Sequence, residues 1–232
     1  MDGTAGPFTI AGPWPAPRSP SGDGERTSRR PGWPRSAEGP DPRLSIPPLP
    51  PRLVSRPRLI DALDAAVAGA ALTLVTAGPG SGKSALLSEW ARRRPAPPAW
   101  LALTRADNDP SRFWSLFIKA LRHSRPLPLP TAWSGEGVSG MLDTLLGEEQ
   151  PEAPPAVVVL DDAHLLTSGS VLEGLDRLVQ RWSPRVRLVM AGRSVPLLPL
   201  HRYRLAGQVA ELRAVDLAMT PDEARACSPR TG

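Results

Sequence analysis

Cysteine is almost missing from this sequence, which has one, Cys227, among 232 residues. A single thiol excludes an internal disulfide framework and a zinc site built on cysteines. Long apolar runs are missing too: no stretch approaches the roughly 18 residues of a membrane-spanning helix, and the N-terminus lacks the basic and apolar regions of a signal peptide. These absences predict a cytoplasmic protein without a membrane partner.

Lysine is also scarce, although the chain is basic. The 28 basic residues include only two lysines, Lys83 and Lys119, and the formal net charge is +5. The arginines are interspersed with acids, which is typical of a solvated surface and does not by itself indicate a nucleic-acid partner. A lysine in a chain that otherwise uses arginine indicates a position that needs a compact ammonium group, because a planar guanidinium does not replace it.

Proline and glycine, in contrast, are abundant, with 30 and 20 residues. Residues 1–45 are rich in both and show neither the apolar period of a strand nor that of a helix. Such a segment cannot bury enough surface to offset its ordering entropy, so we predict a disordered tail, whose arginines leave contact with nucleic acid open. A folded domain is predicted over 46–218, followed by the beginning of a further helix over 219–232.

The most informative stretch is residues 72–84, which read LTLVTAGPGSGKS. A short apolar run ends in a glycine-rich turn and continues as a helical pattern, which is the strand–loop–helix context of a phosphate-binding P-loop rather than of a ligand-free turn. Glycines let backbone N–H groups turn toward an anion, and the helix start adds unpaired N–H groups. An alanine replaces the first glycine of the strict motif. The predicted nucleotide-binding residues are Ala77, Gly78, Pro79, Gly80, Ser81, Gly82, Lys83, Ser84 and Ala85.

A second stretch, residues 157–164, reads VVVLDDAH and supplies two acids. Its four apolar residues predict a strand buried on both faces, and the acids follow at the carboxyl end, where parallel sheets open onto a ligand crevice. This pattern fits a Walker B element. In the predicted site, Lys83 reaches the β- and γ-phosphates, and Ser84 and Asp161 hold Mg²⁺. Asp162 polarises the water that attacks the γ-phosphate.

Further elements surround these motifs. A strand over 186–191 ends just before Arg193, which could therefore sense the state of the nucleotide. His164 follows the two acids and one alanine. We expect it to pack against the following turn or to cap it. An aromatic and aliphatic stripe over 113–121 is typical of a helix that faces the core.

Capping patterns predict where several helices begin. Ser55 precedes a helical pattern, Asp109 precedes a proline at the first helical position, and Thr220 is followed by proline and, three residues on, by Glu223. A short helix is predicted over 138–146, and an edge strand over 209–212.

The order of these motifs resembles the nucleotide-binding domain of MalT-like and large LuxR-type regulators, which belong to the STAND class of signal-transduction ATPases. The matching segments cover roughly residues 47–225, with the turn at 107–109, the segment around Arg193 and the piece at 220–224 as the more specific parts. They read PPRLVSRPRLIDAL, LVTAGPGSGKSALLSEWA, AWLALTRADNDPSRFW, VVVLDDAH, MAGRSVPLLPLHRYRLAGQVAEL and DLAMTPDEA.

The resemblance implies that Arg56 lies near the adenine and that Arg193 is the sensor. It also implies that ATP binding permits self-association and that hydrolysis or ADP resets the switch. The sequence ends where a helical lid would begin and contains no helix-turn-helix, so DNA binding is not carried over to this chain.

We therefore expect an α/β chain with a three-layer P-loop NTPase fold and a parallel sheet, preceded by a disordered tail. It is expected to bind ATP or ADP with Mg²⁺, to hydrolyse ATP slowly, and to act as the switch module of a signalling ATPase. Three alternatives stay open: a nucleotide-binding fragment without turnover, a DNA-associated AAA-type ATPase that uses the basic tail, and a fragment that does not fold stably.

Overall fold

One parallel sheet organises the chain in the computed structural model, which describes residues 41–124, 155–182 and 185–227. Every neighbouring pair of its five strands is parallel, and the order across the sheet is β2-β3-β4-β1-β5. The strands are β1 (Leu72–Thr76), β2 (Ala99–Ala102), β3 (Ala156–Asp161), β4 (Val186–Gly192) and β5 (Val209–Arg213). The predicted parallel sheet is confirmed.

Helices connect most of these strands. They are α1 (Pro57–Gly69), α2 (Lys83–Arg93), α3 (Pro110–Ser124), α4 (Gly169–Trp182), α5 (Leu200–Leu205), α6 (Ala214–Leu217) and α7 (Pro221–Cys227). None of these described helices is long and apolar enough to cross a membrane. The helix predicted over 138–146 lies outside the described residues.

The helices cover both faces of the sheet, which gives three layers. Side chains of a strand alternate between its two faces; accordingly, Leu74 packs into a core with α3 and α4, whereas Val75 packs into a second core with α1 and α2. The aromatic stripe of α3 is buried as predicted, with the rings of Phe113 and Trp114 4.9 Å apart. Gly174 allows α4 to approach this stripe, since a Cβ there would lie 2.4 Å from the ring of Trp114.

Two of the predicted caps are present and one is not. Asp109 accepts a hydrogen bond from the backbone N–H of Arg112, and Thr220 forms a capping box with Glu223. The prediction that Ser55 caps α1 is wrong. Arg56 occupies the N-cap position, and no side chain caps the helix there. Pro57 pre-sets the first turn instead, and the Ser55 hydroxyl accepts a hydrogen bond from Arg93 on α2.

The described part of the chain begins inside the segment predicted to be a tail. Pro42–Leu44 form a 3-10 turn, and the guanidinium of Arg43 lies within hydrogen-bond distance of the Asp107 carboxylate, at 3.2 and 3.3 Å. A charged contact to a buried acid therefore orders residues 41–45, which the composition alone did not reveal.

Candidate functional site

The glycine-rich loop lies at the carboxyl edge of the sheet, between β1 and α2. The backbone N–H of Ala77 donates to the carbonyl of Gly192 at 3.2 Å, which ties the loop to the end of β4. Gly80 and Gly82 have φ values of 75° and 80°, and Gly82 is the N-cap of α2. Because residues other than glycine rarely adopt these backbone angles, the two glycines let the loop fold back over the helix start.

Lys83 fills the centre of this loop. Its Nζ donates hydrogen bonds to the carbonyls of Ala77 and Gly78, each at 2.8 Å, and to the hydroxyl of Ser81 at 3.2 Å. The side chain is 8% exposed. Burial lowers the pKa of Lys83, and the charges of Asp161 and Asp162 partly counteract this effect. The loop therefore holds a cation where an incoming anion would meet it.

The two acids at the carboxyl end of β3, Asp161 and Asp162, lie in different environments. Asp161 is buried, and burial raises its pKa; the nearby Ser84 hydroxyl partly offsets this rise. The side chain of Asp162 is 52% exposed. Its φ of 56° is the only positive value among the described residues other than glycine. A residue held in this sparsely populated region indicates that the surroundings fix it.

Arg193 reaches the same edge from β4, which lies between β1 and β3 in the sheet. Its guanidinium is close enough to Lys83 to lower the pKa of that lysine. Arg193 and Asp162 line a cavity of about 630 Å³. The other lining residues are Arg105, Asn108, His164, Leu165 and Thr167. The fold thus places at one edge the side chains that the motifs singled out, namely Lys83, Ser84, Asp161, Asp162 and Arg193.

Arg56 lies against the P-loop but bonds to the chain's own C-terminal part. A Cβ on Gly82 would be 3.0 Å from Nη2 of Arg56, and Nη1 of Arg56 donates to the carbonyl of Leu217 at 2.9 Å. The guanidinium is buried, with 6% of the residue exposed. Arg56 therefore bridges the loop and α6, and contact with a base remains a prediction.

Arg58, two residues after Arg56 in the first turn of α1, was not predicted to have a role. Its guanidinium donates hydrogen bonds to the carbonyls of Asp216 and Ala218 at 2.7 and 2.6 Å. It also donates two hydrogen bonds to the carboxylate of Glu223, each at 3.0 Å. These partners lie about 160 residues away, so no local pattern could have revealed them. Arg58 holds the segment 216–223 beside the start of α1.

We expect Arg58→Ala to release this segment. The backbone amides of 216–223 should exchange with solvent about tenfold faster, which corresponds to one or two net hydrogen bonds of about 1 kcal/mol each. Hydrogen exchange with mass spectrometry measures the effect. Arg225→Ala serves as the control, because Arg225 pairs only with residues of its own helix in the described contacts. Equal exchange in both variants would contradict the expectation.

The turn after β2 is built around another unpredicted group, the carboxylate of Asp107. It is fully buried and accepts hydrogen bonds from the N–H and hydroxyl of Thr104 at 2.7 and 2.8 Å. Arg112 and Arg43 approach it from α3 and from the N-terminal turn. The adjacent Asn108 bonds instead to the loop that follows the two acids of β3. The sequence had marked the turn 107–109 as distinctive without indicating these roles.

Comparisons with known proteins agree with this arrangement. No family model matches the chain. It is 29% identical over 178 residues to the HTH-type transcriptional regulator MalT of Serratia proteamaculans, and 29% over 180 residues to that of Cronobacter sakazakii. Each match covers 74% of this chain and 20% of the relative, so the chain spans about a fifth of the length of these curated relatives.

Solved structures show the same fold. Cdc6p from Pyrobaculum aerophilum aligns with a TM-score of 0.50 at 20% identity, over 75% of this chain and 49% of that one. A chain of Drosophila ORC bound to DNA aligns with a TM-score of 0.50 at 14% identity, over 73% and 94%. At these identities the likeness concerns the fold alone. The sequence similarity and the fold lead to one conclusion: this chain carries a P-loop NTPase domain similar to that of MalT-like regulators.

Proposed function

We propose that this chain is the ATP-binding, slowly hydrolysing switch module of a STAND-type signalling ATPase related to LuxR-family regulators. The observation that carries the proposal is the meeting of a cation, a hydroxyl and two carboxylates at one edge of the sheet, from Lys83, Ser84, Asp161 and Asp162. Hydrolysis of a nucleoside triphosphate needs these groups: positive charge for the phosphates, oxygen ligands for the metal ion and a group that positions water.

The residues present suit Mg²⁺. Ser84 and Asp161 offer hard oxygen ligands near each other, and Mg²⁺ usually takes one or two carboxylates together with waters and substrate phosphates. In the described part of the chain, no cluster of three or more His, Cys, Asp or Glu could hold a metal by itself. Such an ion would therefore be bound jointly with the nucleotide, and it would supply charge neutralisation on the phosphate oxygens.

Each polar side chain has a distinct part in the proposed reaction. Lys83 neutralises the β- and γ-phosphates from the centre of the loop, and the backbone N–H groups of 80–84 bind the same oxygens. Asp162 accepts a proton from the attacking water as the bond between water oxygen and γ-phosphorus forms. The bond to the β-phosphate oxygen breaks, giving ADP and phosphate. Arg193 senses whether the terminal phosphate is present.

The proposed switch uses the contacts of Arg56 and Arg58. Arg56 touches the P-loop on one side and Leu217 on the other, so a nucleotide that shifts the guanidinium also acts on the segment that leads to α7. Within the proposal, the ATP-bound chain associates with a second copy and the ADP-bound chain does not, as the resemblance to STAND ATPases implies.

Thermal unfolding with and without Mg·ATP tests the nucleotide site. A ligand that binds only the folded state, at 100 times its Kd, adds about 2.7 kcal/mol, or roughly 5–11 °C in Tm for a domain of this size. We expect this shift in the wild type and in Lys119→Ala, and its loss in Lys83→Ala. The two variants remove the chain's two lysines, of which Lys119 is exposed on α3. Equal shifts in all three proteins would contradict the proposal.

The same samples separate the remaining alternatives. Phosphate release above that of Lys83→Ala supports turnover, whereas a thermal shift without release would identify a module that only binds nucleotide. Stimulation of phosphate release by DNA, with affinity that falls steeply with salt, would favour the DNA-associated alternative. The absence of a cooperative transition would indicate a fragment that does not fold stably.

A further inference from the structure

Asn108, the only asparagine of the sequence, joins two loops at the carboxyl edge of the sheet. Its Oδ1 accepts hydrogen bonds from the backbone N–H groups of Thr167 and Ser168 at 2.7 and 2.8 Å. Its Nδ2 donates to the carbonyl of Leu165 at 2.8 Å and to that of Arg105 at 3.0 Å. One amide side chain thus satisfies four backbone groups, three of which belong to the loop that follows Asp162.

That loop is hydrogen-bonded to the backbone of Asp162. The carbonyl of Asp162 accepts the N–H of Leu165 at 3.0 Å, which closes the 3-10 turn Ala163–Leu165. On the other side, the N–H of Asp162 donates to Asp161 Oδ1 at 3.0 Å. Asp162 is held between these bonds with a φ of 56°. Such a conformation is sparsely populated and persists only when neighbouring contacts fix it.

Asn108 is itself held rigidly. The preceding Asp107 is fully buried and takes hydrogen bonds from Thr104 and Arg112, and an ion pair joins it to Arg43. A side chain directly after this buried, multiply bonded acid can transmit the position of its turn to the neighbouring loop, because Asp107 fixes the turn from which it extends.

We propose that Asn108 is a positioning residue for Asp162, and this inference rests on the proposed function. By fixing the loop 165–168, Asn108 keeps the 3-10 turn closed and Asp162 in its left-handed conformation, with the carboxylate facing the cavity that both residues line. The role explains a turn that the sequence singled out and that nucleotide binding alone does not use. Asn108 acts on the reaction through Asp162 and touches none of the reacting groups.

The first test measures kinetics. Asn108→Ala should lower the kcat for phosphate release about tenfold, since misplacing a catalytic group by about 1 Å can cost 100-fold. The KM for ATP and the ATP-induced rise in Tm should stay at wild-type values. Asn108→Asp keeps the two acceptor contacts to Thr167 and Ser168 and should recover part of the rate. Asp109→Ala is the matched control: it weakens the same turn without a described contact to 165–168, so its kcat should match the wild type.

A double-mutant cycle distinguishes positioning from general weakening of the fold. In the Asp162→Asn background, Asn108→Ala should cause no further fall in kcat, because the group that it positions is already lost. An additional tenfold fall in that background would overturn the proposal, as would a loss of kcat in Asp109→Ala equal to that in Asn108→Ala.

Hydrogen exchange provides a readout that does not depend on activity. The amides of Thr167 and Ser168 should exchange faster in Asn108→Ala than in the wild type or Asp109→Ala. Unchanged exchange would overturn the proposal whether or not the chain hydrolyses ATP. Absence of phosphate release from the wild type would overturn the hydrolytic step of the proposed function, and with it the catalytic part of this proposal, while exchange still decides whether Asn108 holds the loop.

Discussion

Phosphate release is expected to fall at least about 100-fold when Asp162 is replaced by Asn. A positioned group that accepts a proton in the transition state typically contributes 10²–10⁴-fold, and an amide of the same shape cannot accept it. Asparagine tolerates the left-handed backbone region, so the φ of 56° at this position should be kept. Single-turnover release of phosphate measures the effect.

Nucleotide binding should survive this substitution. Asp162 is half-exposed, whereas Asp161 is buried and is the acid whose pKa the nearby Ser84 lowers. We therefore expect Asp162→Asn to retain the Mg·ATP-induced rise in Tm, and Asp161→Asn to lose the part of that rise that depends on Mg²⁺. Asp222→Asn, an exposed substitution on α7, serves as the control. A wild-type rate in Asp162→Asn would assign water activation to another group.

Stability should fall by about 3 kcal/mol when Asp107 is replaced by alanine. The variant loses a capping interaction worth about 1 kcal/mol and charged hydrogen bonds worth about 1.5–3 kcal/mol each, part of which water recovers at the half-exposed Arg112. For a domain of this size the expected fall in Tm is about 6–12 °C. Asp109→Ala, which removes only the exposed cap of α3, should cost about 1 kcal/mol.

The effect of Asp107→Ala should depend on pH in a defined direction. Burial by itself would raise the pKa of Asp107, but hydrogen bonds from Thr104 and Arg112 and the charge of Arg43 outweigh it, so the pKa lies below 3.8. A folded-state pKa below the unfolded value means that the carboxylate stabilises the fold fully above pH 3.8 and loses this contribution as the pH falls through the folded-state value. Denaturant unfolding of wild type and variant should therefore converge in acid. A constant difference would contradict the assignment of stability to the charged carboxylate.

Local patterns predicted much of the fold. The apolar run of β3 is buried along its whole length, and the stripe of α3 packs into the core. Both were predictable because a strand buried on both faces has a continuous apolar run, whereas a helix buried on one face has a helical apolar period. The strand–loop–helix around Lys83 was predictable for the same reason, since the motif and its flanking elements are contiguous. Contiguity also made the capping box at Thr220 predictable.

Other predictions failed or were missing where a distant group decides the outcome. Ser55 does not cap α1, because its hydroxyl binds Arg93, 38 positions away. The ordering of residues 41–45 depends on Asp107, 64 positions from Arg43. The hydrogen bonds that join Asn108 to the loop after Asp162 connect residues 57 to 60 positions apart. Propensity and period contain no information about such contacts.

The sequence by itself determined the class of the fold and which side chains carry the candidate chemistry, because glycine, lysine, serine and acid at set spacings after a strand restrict the local backbone and charge. Only the tertiary structure decided the placement of β4 between β1 and β3, which brings Arg193 beside Asp162. It likewise decided that Arg58 holds the C-terminal segment and that Asn108 holds the loop of Asp162. These contacts arise from packing between distant segments, whose free energy depends on the assembled sheet rather than on any neighbouring residues in the chain.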